Sequence, residues 1–418
     1  MLHQASDSAV DAGNHPLAKR MALIAAFSHN LTIGCLFGSF GVLMTSVEQR
    51  LGVSRELSSL GVSLVTVCNA ILSPIVGTLA ARYSLRVLFT TGAVLSALGY
   101  ALLALTHSFP LYLVAYGLLL GPGMALSGVV LPSTLVTRWF DKGRGKVLGL
   151  VHVPVVVAIV PILSSILSAR YGAPFTYAVF GIAIALILVP LSMMIVDYPP
   201  DAASTPSAAN TVTPIQASPA AAATASQILR SPRFWAFAAS SSIVITGIVV
   251  LNTHLIPMAG IWSISATAAA TLISVCALAG IPGSIMWGWI ADKIGGGPAL
   301  ALCALDCAIL WAILLTTPSY PVALLVIGLM GMHGSASIPL MGMALSEAFG
   351  AASFSRAYGL SNLMNLPVTV IGIQAASAIF VKTGSYASIM IVLIVAFLLV
   401  APPPYLARRK RESSSPAS

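Results

Sequence analysis

A small set of polar side chains in this sequence could do chemistry, and all of them lie inside long apolar stretches. Histidine and asparagine recur there, at His29, Asn30, Asn69, His333, Asn362 and Asn365. Polar groups are costly inside a membrane and usually face a cavity or another helix. Histidine can also exchange a proton near neutral pH. These residues are therefore the candidates for binding a polar ligand or for carrying a proton.

Depth and neighbours single out the two histidines. His333 lies within GMHGSASIP, roughly 20 Å from the outer end of its apolar stretch, and small residues surround it. Such a histidine could carry a proton, or it could hydrogen-bond across to a neighbouring helix. His29 and Asn30 precede a row of glycines in the first apolar stretch, so they predict either contact with a ligand or packing between helices.

Three asparagines extend this set. Asn362 and Asn365 are three residues apart, on one face of a helix, and Pro367 follows them. A proline interrupts the helical hydrogen bonds, and the freed carbonyls could bind a ligand, a water molecule or the asparagines themselves. Asn69 lies at middle depth in another stretch and is a further candidate for a direct role.

Asp306 is the one acidic residue in the middle of an apolar stretch. An ionised carboxylate facing lipid would cost at least about 2.5–3.5 kcal/mol, so we expect Asp306 to be protonated or paired inside the protein. It is therefore a candidate proton site or a contact between helices. Cys303 and Cys307 flank it, but two thiols and one carboxylate make a poor metal site, and we predict none.

Motifs that carry catalysis are missing from the sequence. It contains no HExxH zinc motif, no phosphate-binding GxxxxGK[ST] loop and no dinucleotide-binding glycine fingerprint. Neither a Ser–His–Asp arrangement nor a pair of intramembrane protease carboxylates is evident. The sequence therefore predicts that the protein is not an enzyme and needs no cofactor.

Composition explains where the polar candidates lie. The chain has 418 residues, of which 58% are hydrophobic and only 7% are charged, against roughly 25% charged residues in soluble proteins. Twelve stretches are long enough to cross a bilayer, which needs about 20 apolar residues. They are 21–47, 57–81, 87–107, 110–137, 146–169, 174–196, 234–259, 266–290, 298–317, 320–346, 357–381 and 385–407. Because a backbone in lipid must satisfy its own hydrogen bonds, we predict an all-α membrane protein with twelve transmembrane helices, numbered in chain order.

Basic residues predict the orientation of this bundle. If both termini face the cytoplasm, most Lys and Arg residues lie in cytoplasmic segments, as the positive-inside rule requires. The outer loops then hold Arg50, Arg55, Arg170 and Lys382. We therefore predict a multi-pass protein of the plasma (inner) membrane with cytoplasmic termini. Its net charge of +9 then reflects topology and contact with anionic lipid, and gives no reason to expect nucleic acid binding.

The chain divides into two similar halves. A stretch rich in Ala, Ser, Thr and Pro separates them and predicts a flexible cytoplasmic linker. The predicted divisions are an N-terminal tail at 1–20, a six-helix half at 21–196, the linker at 197–232, a second six-helix half at 233–407 and a basic tail at 408–418. When the second half is shifted back by 211 residues (288 − 77), Gly288 falls on Gly77 and Lys293 falls on Arg82. This agreement predicts a duplicated, pseudo-symmetric bundle.

The turns that follow helices 2 and 8 read GTLAAR and GWIADK. They resemble the cytoplasmic loop motif of the major facilitator superfamily, whose fold is two six-helix halves with the ligand site between them. The resemblance implies that Arg82, Asp292 and Lys293 form a gate that latches the halves together in one state. The first copy has Ala81 in place of the acid, so a latch would rest on Asp292 with Lys293. The alternative is that these residues only set the topology and a tight turn.

Several stretches further resemble the monocarboxylate transporter and oxalate/formate antiporter branch of that superfamily. They include GCLFGSFGVLM in helix 1, RWF at the end of helix 4 and KTGSY after helix 11. The resemblance implies transport of a small organic anion, such as a monocarboxylate, together with a proton. Proton-coupled members of the branch carry an acid and an arginine in helix 8, where this chain has about Gly280 and Ser284.

The predicted function is therefore secondary active transport of a small organic anion by alternating access of the two halves, coupled to protons. The missing helix 8 arginine keeps open an exporter of a neutral or amphipathic compound. A non-transporting membrane sensor is the alternative of a different class. The expected partners are a small-molecule substrate, protons and the lipid bilayer, and the protein is expected to be a monomer.

Overall fold

Helices make up the regular structure of the chain. The computed structural model describes residues 16–53, 55–200 and 223–405, and no strand occurs within these ranges. The predicted basic tail, most of the predicted N-terminal tail and most of the predicted linker lie outside the described residues. The end of the linker forms a short helix, Ala225–Leu229, which starts with a capping box.

Ten helical stretches of the described residues are apolar and long enough to cross a membrane. They are Pro16–Met44, Leu60–Leu79, Leu85–Leu105, Phe109–Trp139, Arg144–Met193, Pro232–Leu255, Thr271–Ile294, Gly296–Leu315, Tyr320–Phe380 and Ala387–Tyr405. As complete helices, helix 1 is Pro16–Leu51, helix 2 is Arg55–Leu79, helix 3 is Leu85–Leu105, helix 7 is Pro232–Ile261, helix 8 is Ala266–Ile294, helix 9 is Gly296–Leu315 and helix 12 is Ala387–Val400. The helices form because each apolar run must satisfy its backbone hydrogen bonds internally when lipid surrounds it.

Two of the ten stretches are too long for a single pass. Arg144–Met193 has 50 residues and Tyr320–Phe380 has 61, whereas about 20 residues cross a bilayer. Each stretch breaks at a glycine with a positive φ, Gly172 at 83° and Gly350 at 71°, a backbone conformation that favours glycine. Each therefore makes two passes, helices 5 and 6 and helices 10 and 11, and the predicted twelve-helix bundle is confirmed.

The third helix of each half begins next to a carboxylate, although the two carboxylates come from different places in the halves. Asp197 accepts a hydrogen bond from the backbone N–H of Leu85 at the start of helix 3, at 3.0 Å. Glu347 accepts one from the backbone N–H of Gly296 at the start of helix 9, at 3.1 Å from each carboxylate oxygen. Gly296 is the equivalent of Leu85 (296 − 85 = 211). In both halves, a carboxylate thus stabilises the positive N-terminus of the third helix.

Helices 4 and 5 are interrupted within the first half. Gly128 and the residue after it separate two regular segments of helix 4, the second of which is Val130–Trp139. Helix 5 begins as the two-turn segment Arg144–Val151 and resumes beyond Pro154, which has no N–H with which to continue the helix. Carbonyl groups at both interruptions therefore lack helical partners and are free to accept hydrogen bonds from side chains.

Buried apolar side chains form two clusters. One lies wholly within helices 1 to 6, around Tyr100, Tyr116 and Tyr177. The larger one runs through both halves and includes Leu148 from the first and Leu340 from the second. The halves therefore share part of one core. The end of the bundle at which helices 2 and 8 finish and helices 5 and 11 begin is named the sealed end, and the opposite end is named the far end.

Candidate functional site

The two halves approach each other closely at the sealed end, where glycines leave room for neighbouring backbones. A Cβ atom added at Gly77 of helix 2 would overlap the carbonyl oxygen of Ser355 in helix 11. The Ser355 hydroxyl in turn donates to the Gly77 carbonyl at 2.9 Å. A Cβ atom added at Gly288 of helix 8 would overlap the carbonyl oxygen of Gly145 in helix 5. Because Gly288 is equivalent to Gly77, the same close contact forms twice around the pseudo-two-fold axis.

A second layer of contacts lies one helical turn toward the far end. Ser284 donates its hydroxyl hydrogen to the carbonyl oxygen of Gly149 at 2.7 Å. A Cβ atom added at Gly149 would overlap the carbonyl oxygen of Ser284. In the other pair of helices, a Cβ atom added at Gly359 would overlap the carbonyl oxygen of Ser73. The repeat therefore extends over two turns of each helix.

Four pairs of small residues, each spaced four apart, build these contacts and are named the seal. They are Ser73 and Gly77, Gly145 and Gly149, Ser284 and Gly288, and Ser355 and Gly359. Small residues at this spacing form a smooth helix face and let two helix backbones touch, which is a common basis of tight packing in membranes. The spacing is visible in the sequence, and it is the signal from which the seal could have been predicted.

Asp292 adds a polar contact across the seal. Its two carboxylate oxygens accept hydrogen bonds from the backbone N–H groups of Gly145 and Lys146, at 2.6 and 2.7 Å. These amides belong to the first turn of helix 5, where the helix dipole favours a negative charge. The equivalent of Asp292 in the first half is Ala81 (292 − 211 = 81), which has no carboxylate. This contact is therefore one-sided, as the sequence implies.

The two basic residues of the predicted gate lie elsewhere in this conformation. The Lys293 Nζ atom lies 3.7 Å from the centroid of the Trp289 ring, one turn back on the same helix. Arg82 is exposed in the turn after helix 2. Of the three predicted gate residues, Asp292 is the one that reaches the other half. A latch that also uses Lys293 and Arg82 stays a prediction.

Asn69 and Asn362 lie just beyond the seal, between the two halves. Asn69 is one turn from Ser73 in helix 2, and Asn362 is three residues from Gly359 in helix 11, each toward the far end. Side chains three or four residues apart share a helix face, so both asparagines lie on the face that forms the seal. Both are half-buried. The predicted contact of these two residues with a ligand is compatible with this position and stays a prediction.

Asn365 has a partner within its own half. Its side-chain oxygen accepts a hydrogen bond from the Ser242 hydroxyl of helix 7 at 2.5 Å. The hydroxyls of Thr246 and Thr369 form a second contact between the same helices at 3.3 Å. In this conformation Asn365 therefore joins helix 11 to helix 7 and does not bind the backbone near Pro367.

His333 and Asp306, which the sequence suggests as separate candidates, are neighbours. The His333 Nε2 atom lies 3.5 Å from Asp306 Oδ2, and its Nδ1 atom donates to the Leu329 carbonyl at 2.6 Å. The Trp287 ring packs edge-on against the imidazole, with centroids 5.1 Å apart. His333 thus turns toward helix 9 and gives the intramembrane carboxylate a partner. Nowhere in the described residues are three or more His, Cys, Asp or Glu side chains grouped to hold a metal ion.

A second pair of histidines lies where helix 1 meets the interruptions in helices 4 and 5. The His29 Nδ1 atom donates to the carbonyl oxygen of Gly128 at 2.8 Å. The rings of His29 and His152 pack edge to face with centroids 4.5 Å apart, and both residues are buried. Sequence reasoning missed His152 as a functional candidate, because nothing in the order of residues brings it to His29. The pair exists because both helix interruptions face helix 1.

His152 uses both of its ring nitrogens. Its Nδ1 atom lies 2.8 Å from the Leu148 carbonyl oxygen, which can only accept, so the ring hydrogen is on Nδ1. In the neutral ring its Nε2 atom accepts a hydrogen bond from the Ser133 hydroxyl of helix 4 at 3.2 Å. The hydrogen bonds of His152 therefore join the interruption in helix 5 to helix 4.

Asn30 joins helix 1 to the interruption in helix 5. Its side-chain nitrogen donates to the carbonyls of Ala26 at 3.1 Å and Val151 at 3.4 Å. Its side-chain oxygen accepts from the backbone N–H of Val156 at 3.2 Å. The amide is thus fully occupied by backbone groups, which is the interhelical packing that the sequence left open beside ligand contact.

Replacing Asn30 with alanine should destabilise the protein, because it leaves the Val156 N–H and the Val151 carbonyl without this partner. Unsatisfied buried groups cost about 1–3 kcal/mol, so the midpoint of thermal unfolding in detergent should fall by about 2–6 °C. The matched control is Asn69→Ala, because no described residue hydrogen-bonds the Asn69 side chain. An equal loss of stability in both variants would contradict this role for Asn30.

Arg50, which the sequence places in an outer loop, lies partly inside the protein. Helix 1 continues to Leu51, so Arg50 lies in its last turn and not in a loop. One guanidinium nitrogen, Nη2, donates to the Leu103 carbonyl at 2.8 Å, and the Tyr177 ring lies 6.0 Å from the guanidinium carbon. The Nε and Nη1 atoms are buried and have no hydrogen-bond partner among the described residues. Arg50 therefore has N–H groups near the far end that no described residue binds.

Twelve apolar helices in two repeated halves, closed against each other at one end, are the architecture of a secondary transporter. The model of the Major Facilitator Superfamily matches residues 22–305 and 240–418, and the chain belongs to this family. Members of the family are transporters and not enzymes.

Two curated relatives resemble the chain over most of its length. The MFS-type transporter YcxA of Bacillus subtilis is 22% identical over 400 residues, which cover 91% of this chain and 92% of that protein. Monocarboxylate transporter 13 of Bos taurus is 24% identical over 392 residues, which cover 89% of this chain and 85% of that protein. Both relatives are transporters, in agreement with the family match.

Solved structures share the same fold. The human organic anion transporter MFSD10 (TETRAN) superposes with a TM-score of 0.71 at 14% identity, covering 93% of this chain and 100% of that chain. The E. coli fucose:proton symporter FucP superposes with a TM-score of 0.69 at 16% identity, covering 92% of this chain and 98% of that chain. At these identities the likeness establishes the fold alone.

Proposed function

We propose that the protein moves a small organic anion, such as a monocarboxylate, across the plasma membrane together with a proton. The observation that carries the transport cycle is the seal. Helix 8 packs along the first segment of helix 5, Arg144–Val151, and hardly touches the segment after the interruption. Contact between the halves is therefore concentrated at one end, which is one end state of alternating access.

The sealed end is proposed to face the cytoplasm, together with both termini. Basic residues at this end support the orientation by the positive-inside rule: Arg82, Lys146, Lys293 and Arg356. The described conformation would then be the outward-facing one. A substrate would enter from outside, and release inside would require the seal to separate.

The proposed charge of the substrate rests on Arg50 and on one relative. The Nε and Nη1 atoms of Arg50 are buried without a partner among the described residues, and a carboxylate would complete their hydrogen bonds. The relative is the monocarboxylate transporter of Bos taurus. Ser284, which stands about where the branch has its helix 8 arginine, belongs to the seal, and Gly149 packs against it. In this chain an anion would therefore bind to Arg50 and not to an arginine in helix 8.

Polar residues at three places are proposed to serve the cycle. Asn69 and Asn362, just beyond the seal, would contact the substrate in the cleft between the halves. His29, with Asn30 beside it, and the His333–Asp306 pair are the proposed proton-carrying groups, because each places an imidazole inside the bundle. The protein is proposed to act as a monomer in the lipid bilayer.

A neutral or amphipathic compound is the second candidate substrate. Four polar side chains beyond the seal are amides or hydroxyls and carry no charge: Asn69, Asn362, Asn365 and Ser242. Uncharged hydrogen-bonding groups suit a neutral polar ligand at least as well as an anion. Export of such a compound would use the same seal in the reverse direction.

Uptake into proteoliposomes distinguishes the two candidates. Labelled lactate, pyruvate and longer monocarboxylates should accumulate under an inward proton gradient, and a protonophore should abolish the accumulation. Replacing Arg50 with glutamine should reduce anion uptake by about 10- to 100-fold, the effect of losing one charge-assisted hydrogen bond of about 1.5–3 kcal/mol. The matched control is Arg170→Gln, since Arg170 is exposed at the same end. If the folded protein takes up no carboxylate, the hypothesis of an anionic substrate is rejected and that of a neutral substrate is favoured.

A further inference from the structure

We infer that the His29–His152 pair binds the proton of the transport cycle, and that binding this proton releases the seal. The inference rests on the proposed proton-coupled function and adds the site and the route through which a proton would act. It depends on the position of His152, which the order of residues does not suggest as a functional group.

The pair is built to accept one proton. Both Nδ1 atoms donate to carbonyl oxygens, so an added proton must bind to an Nε2 atom. The ring centroids of His29 and His152 are only 4.5 Å apart, and two charged rings would repel each other. The carbonyl oxygens of Gly128 and Leu148 each accept a hydrogen bond from one ring, and their negative ends favour a cation. The pair is therefore a site for a single proton.

No carboxylate neutralises this site in the described conformation. Helix 11 brings the Tyr358 hydroxyl, which approaches Ser133. Helix 8 brings Asp292, which binds the other end of the segment Arg144–Val151. Helix 5 itself carries Lys146, exposed at the sealed end, and helix 1 has no Asp, Glu, Lys or Arg within two turns of the pair. A protonated pair would therefore be a buried cation without an acidic partner.

The segment Arg144–Val151 connects the pair to the seal. Its first turn is held by Asp292 from the other half, and its two glycines pack against helix 8. His152 follows its last residue, so the two ends are about 12 Å apart. One short helix thus carries the contact between the halves at one end and a titratable ring at the other.

Ser133 forms a second connection. A proton on Nε2 of His152 turns this atom from an acceptor into a donor, so the Ser133 hydroxyl must rotate its hydrogen away and accept the bond instead. Tyr358 approaches the same hydroxyl and precedes Gly359, a member of the seal. A change in the protonation of His152 therefore reaches the packing of helix 11 as well as that of helix 8.

Protonation favours the open seal because a buried cation loses its hydration. The two rings are buried, at 5% and 3% exposure, and separation of the halves at the sealed end would let water reach them. Asp292 attracts the cation only from the opposite end of a two-turn helix, so hydration is the larger effect. The step balances without other chemistry: an N–H bond forms when a ring takes a proton from water, and the same bond breaks when the proton returns to water.

Hydrogen–deuterium exchange of the full-length protein, without substrate, tests the inference. The amides of 141–150 and 353–360 report on the seal, and their rates are corrected for the chemical effect of pH. Lowering the pH from about 8 to about 5.5 spans the titration of a histidine in contact with water, which is the condition of the pair when the sealed end is open. The corrected exchange at both segments should rise on the order of tenfold, as expected when opening is linked to one proton.

Variants identify the group responsible. His29→Gln and His152→Gln should remove the pH response, while His107→Gln, in an exposed loop, and His254→Gln, a buried histidine bonded to Tyr386, should retain it. Ser133→Ala leaves both rings in place, and should weaken the response at 353–360 more than at 141–150. A response that persists in both pair variants, or is absent in the unmodified protein, would overturn the inference.

The outcome is separable from that of the transport assay. If the seal depends on pH but the protein takes up no carboxylate, this inference is supported and the hypothesis of an anionic substrate is rejected. If uptake is driven by protons but exchange at the seal does not change with pH, the proposed function is supported and the His29–His152 pair is rejected as its proton site.

Discussion

Replacing Gly288 with alanine should prevent the sealed end from closing and should reduce transport at least about tenfold. The added Cβ atom would overlap the carbonyl oxygen of Gly145, which belongs to a helix backbone and cannot rotate away as a side chain could. Overpacking of this kind typically costs 1–3 kcal/mol, which corresponds to a shift of about 5- to 150-fold in the closing equilibrium. Hydrogen–deuterium exchange of 141–150 should rise by the same factor.

Two further alanine variants make this result specific. Gly77→Ala should behave like Gly288→Ala, because the equivalent contact with Ser355 is equally close. Gly41→Ala is the matched control, since a Cβ atom there meets nothing within 4 Å among the described residues. If Gly288→Ala transports and exchanges like Gly41→Ala, the two helices do not pack backbone to backbone during the cycle.

Replacing Asp292 with asparagine should weaken closure by about 10- to 100-fold. The carboxylate accepts two charge-assisted hydrogen bonds, and an asparagine has one oxygen to accept with and an NH₂ group that would face a backbone N–H. Loss of hydrogen bonds to a charged group costs about 1.5–3 kcal/mol. Exchange of the Gly145 and Lys146 amides should therefore accelerate, and the balance should move toward the state in which the sealed end is open.

The first half supplies the converse of this experiment. Ala81→Asp would place a carboxylate at the equivalent position, next to the start of helix 11, and exchange of 353–360 should slow. Lys293→Gln should change either segment little, because Lys293 stacks on Trp289 of its own helix. A loss of closure in Lys293→Gln as large as in Asp292→Asn would restore the paired latch that the loop motif implies.

The number of helices and their repetition were predictable because a backbone in lipid must satisfy its hydrogen bonds internally. An apolar run of membrane length must be a helix, so twelve runs predict twelve passes even where two of them are continuous. The repeated turn at Gly77 and Gly288 was equally readable, since it needs only an alignment of the chain with itself. Asp292 was recognisable for the same reason, because the motif surrounds it.

The candidate site was predictable only in part. The sequence identified His29, His333 and Asp306 as costly polar groups, because each interrupts an apolar run. It could not say that His333 turns to Asp306, or that His29 meets His152, since such pairs depend on the rotation of each helix about its axis. Arg50 was placed in a loop because a charge usually ends a membrane span, whereas here the helix continues past it.

The sequence by itself determined that this protein crosses the membrane twelve times in two similar halves, through hydrophobicity and spacing along a single chain. The tertiary structure alone decided which small residues meet across the halves, which amides Asp292 binds and which imidazoles lie together. Those contacts join helices that are distant in the chain, and they depend on rotations and tilts set by the packing of all twelve helices. Composition defines the membrane protein, and packing defines where its two halves can open.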